Sequence, residues 1–158
     1  MPSTIVAHKA FRVLAASAVA VTHTGDTNET ALATITVPAN SLGANGVLRI
    51  TAVFSMTNDA STKTARIRYS SITGTIYNTT PVTTSASVTM LRFIANRNAT
   101  NSQVGGGSTT QFAATSAVAV TSAVDTTAAT TVVLTGELAD GTDSITIESY
   151  VIEIFYQA

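Results

Sequence analysis

The chain has 158 residues, a length typical of one domain with a core of its own. Hydrophobic residues make up 45% of it and charged residues only 11%, against about 25% in an average soluble protein, which excludes a disordered chain. The net charge of −1 and the pI of about 6.0 argue against a nucleic-acid-binding protein, because such proteins carry a surplus of basic residues. Without cysteine, disulfides and thiolate metal sites are excluded.

The mean hydropathy of +0.32 indicates that part of the outer surface is covered. Few charges and almost no net charge favour association, so we expect a homo-oligomer or a complex with another protein. Threonine is the dominant residue, and valine, isoleucine and alanine follow it. Branched side chains such as those of threonine and valine pack well on a pleated sheet, so the chain is predicted to be all-β.

The N-terminus is predicted to be an arm, residues 1–10, that leads into a single β-sandwich domain of residues 11–158. Lys9 and Arg12 precede a short alanine-rich run that is similar to a signal peptide, but Ser17 interrupts this run, so a cleaved signal is not favoured. No apolar run approaches the ~20 residues of a membrane helix.

Alternating or apolar runs predict the strands, and turn-forming residues separate them. The clearest stretch is 29–56, where two strands flank a connection with Pro38, Leu42 and Gly46. Predicted strands, in chain order, are 11–22, 29–37, 47–56, 63–70, 75–78, 87–96, 111–124, 126–137 and 144–156. Predicted turns or loops are 23–27, 57–61, 79–86 and the Asp-Gly-Thr-Asp hairpin at 140–143.

Eight or nine strands without a helix predict an antiparallel two-sheet Greek-key sandwich of the jelly-roll type. If 29–37 is the first strand of the jelly roll, the C-terminal strand pairs with it and also lies beside 63–70. Arg66 and Arg68 would then pair with Glu148 and Glu153 inside the fold. This would explain why every basic residue precedes residue 98 and only acids follow it. The alternative is that subunits meet basic face to acidic face.

The last strand has core candidates at Ile145, Ile147, Val151 and Ile154. Its two acids, Glu148 and Glu153, are an odd number of residues apart and would lie on opposite faces of a regular strand. Such a placement is unlike the paired carboxylates of a glycosidase.

No motif predicts catalysis. His8 and His23 lack any metal-binding or triad context, and no lysine or helix follows the glycines at 105–107, as a phosphate loop requires. Asp140 and Asp143 could offer two carboxylates to Ca²⁺, but a hairpin turn explains them better. We therefore expect no enzyme, no cofactor and no metal site.

The segment 96–110 is the polar centre of the chain and the candidate binding site. Its side chains could bind a sugar or an adjacent subunit, or could simply hydrogen-bond the backbone of their own loop. Together with the two basic residues of the N-terminal region, the predicted binding residues are Asn96, Arg97, Asn98, Asn101, Gln103, Lys9 and Arg12.

The hexapeptide Ser-Ala-Val-Ala-Val-Thr occurs twice, at 17–22 and 116–121. In a chain so rich in threonine, alanine and valine, the repeat is interpreted as compositional.

Three features together resemble small jelly-roll virion proteins of tailed bacteriophages, of the decoration, cement, collar and tail-associated kind. They are TITVPANSLGANGVLRITAVFSM at 34–56, the Asn/Arg/Gln run ending at Gln103, and the hydrophobic C-terminal strand. The resemblance implies a homo-oligomer, often a trimer, that sits on a capsid or tail and catalyses nothing. Its partners would be major capsid or tail proteins, with no nucleic acid and no membrane, in a virion assembled in the host cytoplasm.

The alternative function is a tail- or collar-associated module that binds a receptor or carbohydrate. Such a module presents aromatic side chains on its loops, and here only Tyr77 and Tyr69 would serve, since the chain has no tryptophan.

Overall fold

The structure, a computed structural model, describes residues 11–109 and 114–156. These residues form strands joined by turns and loops, with no helix among them and hence none that could span a membrane. The strands are β1 (Phe11–Ser17), β2 (Val21–Thr24), β3 (Thr30–Val37), β4 (Val47–Met56), β5 (Lys63–Tyr69), β6 (Thr75–Val82), β7 (Ser87–Asn96), β8 (Gln103–Gly105), β9 (Val120–Ser122), β10 (Thr130–Leu138) and β11 (Ser144–Phe155). The predicted arm, with Lys9, lies outside the described residues.

The strands form two antiparallel sheets packed as a sandwich. The seven-stranded sheet has the order β1-β11-β4-β7-β8-β9, with β2 following β1 along β11, and the four-stranded sheet has the order β3-β10-β5-β6. If β1 and β2 count as one position and β8 and β9 as additions at the sheet edge, the remaining order is that of a jelly roll. The predicted all-β jelly-roll sandwich is therefore confirmed.

The core lies between the two sheets, and strand alternation builds it. In β4, Leu48, Ile50, Ala52 and Phe54 are fully buried, while the residues that alternate with them are half-buried on the outer side. On the facing sheet, Tyr69 and Tyr77 meet edge to face with ring centroids 6.1 Å apart. Burial of each large apolar side chain contributes roughly 1.5–3 kcal/mol, so these contacts hold the sheets together.

The connection from β3 to β4 folds as its residues require. Leu42 is buried and belongs to the core. A Cβ atom at Gly46 would lie 1.8 Å from the carbonyl oxygen of Leu42, so only glycine fits where the chain turns into β4. This connection is as predicted.

The N-terminal strand differs from its prediction. The predicted strand 11–22 is divided into β1 and β2, because residues 18–20 leave the sheet where β11 carries a bulge between Ile147 and Ser149. His23 and Thr24, predicted as part of a turn, belong to β2, and the turn begins at Gly25, whose φ is +95°.

The strand predicted at 75–78 is longer, and the loop predicted at 79–86 is correspondingly shorter. β6 continues through Pro81 to Val82 because it is the edge strand of its sheet, where a proline without an N–H is tolerated.

The predicted strand 111–124 is reduced to β9, and its residues 111–113 lie outside the described part. β10 begins four residues later than predicted and ends one residue later. The turn at 140–143 exists, but it is not a hairpin, because it joins β10 of one sheet to β11 of the other.

The predicted neighbours of the C-terminal strand are wrong. β11 pairs with β1, β2 and β4, whereas β10 lies between β3 and β5. The reason is that β1 and β2 together, and not 29–37, are the first strand of the jelly roll. Each later strand therefore occupies the next position of the jelly roll and has different neighbours from those predicted. The bulge in β11 also reverses its alternation, so Ile152 is buried in place of Val151.

Candidate interaction surface

Part of the outer face of the seven-stranded sheet is apolar, and the face becomes polar toward Ser55 and Glu148. Alternate residues of β1, β4, β7 and β11 point away from the core, and the strand register places them side by side. We call this surface the apolar face; its hydrophobic members are Phe11, Val13, Val47, Val53, Leu91, Phe93, Val151 and Phe155.

Four large hydrophobic side chains of the apolar face are exposed in this chain. Phe11 retains 58% of its accessible surface and Phe93 44%, and Val13 and Val151 are exposed as well. Contiguous exposed apolar patches mark sites of interaction with proteins, membranes or ligands. The apolar face is therefore a candidate interaction surface.

One ion pair lies at the centre of the apolar face. Arg49 Nε donates to Glu153 Oε2 at 2.5 Å, and this hydrogen bond raises the pKa of Arg49. The guanidinium also lies 5.1 Å from the centroid of the Phe155 ring, which packs against Phe11 at 6.2 Å. The pair neutralises itself, so these two residues add no net charge to the face.

The outer face of the four-stranded sheet is, in contrast, charged. Arg68 binds both carboxylate oxygens of Glu29, at 2.6 and 2.5 Å, and Arg66 contacts Glu29 at 3.1 Å and also pairs with Glu137. Thr135 donates a further hydrogen bond to Glu29. The two sides of the sandwich are thus chemically distinct.

These ion pairs correct the predicted pairing of Arg66 and Arg68 with Glu148 and Glu153. The two glutamates lie on the other sheet, where Glu153 binds Arg49 and Glu148 accepts a hydrogen bond from Ser55. Because Arg49 and Ser55 are both on the outer side of β4, the bulge has brought both glutamates to one face. Charge pairing within the fold occurs, but with other partners.

Acid is expected to weaken the fold through Glu29. Burial acts to raise the pKa of Glu29, but hydrogen bonds from Arg68 and Thr135 and the arginine charges outweigh it, so the pKa lies below its ordinary value of 4.5. A carboxylate with a lowered folded-state pKa stabilises the fold above its unfolded-state pKa, and this stabilisation is lost as the pH falls through the folded-state value. The stabilisation that Glu29 contributes is therefore complete at neutral pH, and it should begin to decrease as the pH falls through about 4.5.

Urea unfolding between about pH 7 and about pH 3 measures this loss, and Glu29→Gln should make the free energy of unfolding less dependent on pH. The unsubstituted protein, measured at the same pH values, is the reference. If the free energy of unfolding of Glu29→Gln depended on pH as strongly as that of the unsubstituted protein, Glu29 would not be the source of the acid sensitivity.

Two of the predicted binding residues are internal. Asn96 and Gln103 are buried, and Gln103 Nε2 donates to Asn96 Oδ1 at 2.9 Å. Asn96 Nδ2 in turn donates to the carbonyl of Gly43 at 2.5 Å and to Thr126 Oγ1 at 3.0 Å. Their amides therefore join separate loops of the same chain.

The other predicted binding residues within the described ranges, Arg97, Asn98, Asn101 and Arg12, do not form one cluster. Arg97, Asn98 and Asn101 are exposed in the tight connection between β7 and β8, where the Arg97 N–H donates to the Ser102 carbonyl. Arg12 is exposed on β1, three strand positions from β7, which corresponds to about 14 Å.

The apolar face was missed as a site, although the sequence carries a signal for it. β7 has apolar residues at both alternations, with Met90 and Ile94 inward and Leu91 and Phe93 outward. A strand that is apolar on both faces is typical of one covered on both sides.

The described residues contain no group of three or more His, Asp or Glu side chains placed to hold a metal ion. Asp140 Oδ1 accepts hydrogen bonds from the N–H and the hydroxyl of Thr142, whereas the buried Asp143 carboxylate points toward Lys63. The two carboxylates of the 140–143 turn therefore serve different partners.

The chain matches no protein-family model, and no curated protein matches it significantly. Among solved structures, the CBM2 module of the evolved Dit of Lactobacillus casei BL23 phage J-1 aligns with 76% of this chain and 67% of that chain, at 12% identity and a TM-score of 0.36. A structure of infectious bursal disease virus, Gx strain, aligns with 92% of this chain and 40% of that chain, at 12% identity and a TM-score of 0.29. The chain thus spans less than half of the second protein. At these scores neither similarity bears on function, and the fold assignment rests on the strand order.

Proposed function

We propose that this chain is a non-enzymatic structural component of a bacteriophage virion, a capsid decoration or cement protein that acts as a homo-oligomer, with a trimer favoured. The observation that carries the proposal is the contrast between the two outer faces. One is apolar around a self-neutralised ion pair, and the other is covered by the arginine–glutamate network. A chain built to lie on a protein shell has this asymmetry, with the apolar face on the shell and the charged face in solvent.

The apolar face would act by burying area across joints between shell subunits. A specific protein contact buries on the order of 1,200–2,000 Å², and many repeated weak contacts become collectively strong. Phe11, Phe93 and Phe155 would supply most of the buried area, because aromatic side chains dominate the energetics of interfaces. The expected partner is a major capsid or tail protein.

The alternative function, a tail- or collar-associated module that binds a receptor or carbohydrate, would use the charged side. A cleft of about 260 Å³ opens there, lined by Thr62, Thr64, Arg66, Glu137, Leu138 and Ala139. Its polar groups could hydrogen-bond a sugar, but this lining includes no aromatic ring. The cleft therefore supports this function less well than the apolar face supports attachment to a shell.

The test is the protein content of purified particles of the phage that encodes the chain. Mass spectrometry should find the chain at a copy number comparable to that of the capsid protein. Phe93→Glu should remove it from the particles while the melting temperature of the isolated protein stays the same, because Phe93 is already partly exposed. A charge placed in the centre of an interface leaves its desolvation uncompensated.

Ile72→Glu is the matched control, since Ile72 is a similarly exposed hydrophobic residue in the connection between β5 and β6 of the other sheet. This variant should stay on the particles. Particles that lack the chain, or that retain Phe93→Glu as fully as Ile72→Glu, would overturn the proposal.

A further inference from the structure

The repeated hexapeptide occupies the two opposite edges of the seven-stranded sheet. Residues 17–22 run from the end of β1 into β2, and residues 116–121 run into β9; these are the terminal strands of the same sheet. Composition alone does not explain why both copies lie at edges. We call the two segments the edge hexapeptides.

Both edge hexapeptides enter their edge strands at the same position. In each, the second to fourth residues lie outside the ladder and the last two, valine and threonine, belong to the edge strand; Ser17 ends β1, whereas Ser116 lies in a bend. Val21 pairs with the buried Ile147 and Val120 packs against the core, while Thr22 and Thr121 are exposed. In both copies the valine is on the inner side of the sheet and the threonine on the outer side, although Val21 keeps 42% of its accessible surface at its edge.

The protruding part of each edge hexapeptide is strongly apolar and exposed. Val19 retains 74% of its accessible surface and Val118 85%, the highest values among the large hydrophobic side chains of the described residues. Both segments lack the charges and prolines with which proteins usually protect sheet edges against pairing. The second copy runs close to Gly107, where a Cβ would lie 2.9 Å from the Cβ of Ala117.

The strand directions allow one edge to join the other on a neighbouring molecule. Every neighbouring pair in this sheet is antiparallel, and β9 is five positions from β1, so β9 runs opposite to β1 and β2. A second copy that continues the sheet would place its β9 antiparallel to β1–β2. The sheet pattern is then unbroken between subunits.

We propose that the partner of each edge hexapeptide is the other edge hexapeptide of a second copy of this chain, in a head-to-tail contact centred on Val19 and Val118. Head-to-tail contacts form a closed ring when the rotation between neighbouring copies adds up to a full turn, and a ring uses both edges of every copy. Pairing of like edges would leave one edge of every dimer open. The inference rests on the homo-oligomer of the proposed function and names its contact, which is separate from the apolar face.

The test is the mass of the purified full-length chain by light scattering. The unsubstituted protein should be one oligomer, and Val19→Lys and Val118→Glu should each lower the mass to that of the monomer at the same concentration. The double variant V19K/V118E should recover the oligomer, because each contact would then pair opposite charges, and added salt should weaken it. Ile72→Lys is the control and should keep the mass of the unsubstituted protein.

Each other result overturns the inference. A monomeric unsubstituted protein, an oligomer that survives both single substitutions, or a double variant that stays monomeric would exclude a contact between residues 19 and 118. If Val19→Lys gave a monomer and Val118→Glu did not, the contact would join two like edges, each with Val19 at its centre. Circular dichroism verifies that the variants fold. Phage particles are not needed, so this inference and the proposed attachment to a virion can fail separately.

Discussion

Lys63→Met is expected to lower the free energy of unfolding by about 4 kcal/mol. Lys63 is fully buried, and its Nζ lies 2.5 Å from Asp59 Oδ1 and 3.8 Å from Asp143 Oδ2. Methionine has a similar length and volume, so the loss comes from the charge and not from a cavity. The buried Asp143 carboxylate would be left without its cation, and uncompensated buried charge is among the costliest changes in a protein.

The double variant Lys63→Met/Asp143→Asn should recover most of this loss. Removing both members of a buried ion pair is often neutral, whereas removing one is not. Urea unfolding at neutral pH gives the free energies for the two single variants and the double variant, and a double-mutant cycle gives their coupling. Additive effects of the two substitutions would show that Lys63 and Asp143 do not stabilise each other.

Gln103→Leu is expected to lower the free energy of unfolding by about 3 kcal/mol. The Gln103 amide donates to the carbonyl of Val124 and to Asn96, and its oxygen accepts from the N–H of Val124 and the hydroxyl of Ser122, all at 2.9 Å. Leucine has a similar volume but makes none of these bonds. Buried backbone and side-chain groups would lose their partners, at a cost of about 1–3 kcal/mol for each group that stays unsatisfied.

Asn101→Ala is the matched control, because Asn101 is an exposed amide of the same loop; its effect should stay within about 0.5 kcal/mol. Hydrogen exchange should localise the effect of Gln103→Leu to β9 and residues 123–126, which the amide joins to β7 and β8. An equal effect of the two substitutions would show that the buried amide does not hold this part of the sandwich.

Strands with clean alternation were predictable almost to the residue. β4 and β7 have their predicted bounds, because each alternates over ten residues and ends at a turn-forming sequence. β6 was predicted too short because Pro81 normally ends a ladder, and only its edge position makes that proline acceptable. Local rules thus failed where the position of a strand in its sheet decides what is allowed.

For the candidate sites, too, the local sequence predicted only part of what the structure shows. Nothing local distinguishes Asn96 and Gln103, which are buried, from Asn98 and Asn101, which are exposed in the same polar segment. The apolar face had a signal in the outward Leu91 and Phe93, but its extent required the register of four strands. The repeated hexapeptide was visible in the sequence, yet its meaning depends on where the sheet ends.

The sequence by itself determined that this protein is an all-β sandwich, because composition and period-two alternation act on each strand separately. Tertiary structure alone decided which strands are neighbours, which charges pair and which apolar residues stay exposed. β1–β2, not β3, begins the jelly roll, so Arg66 and Arg68 meet Glu29 and Glu137 instead of the C-terminal glutamates. Strand order is set by the best mutual burial of the whole chain, and a single shift changes every partner.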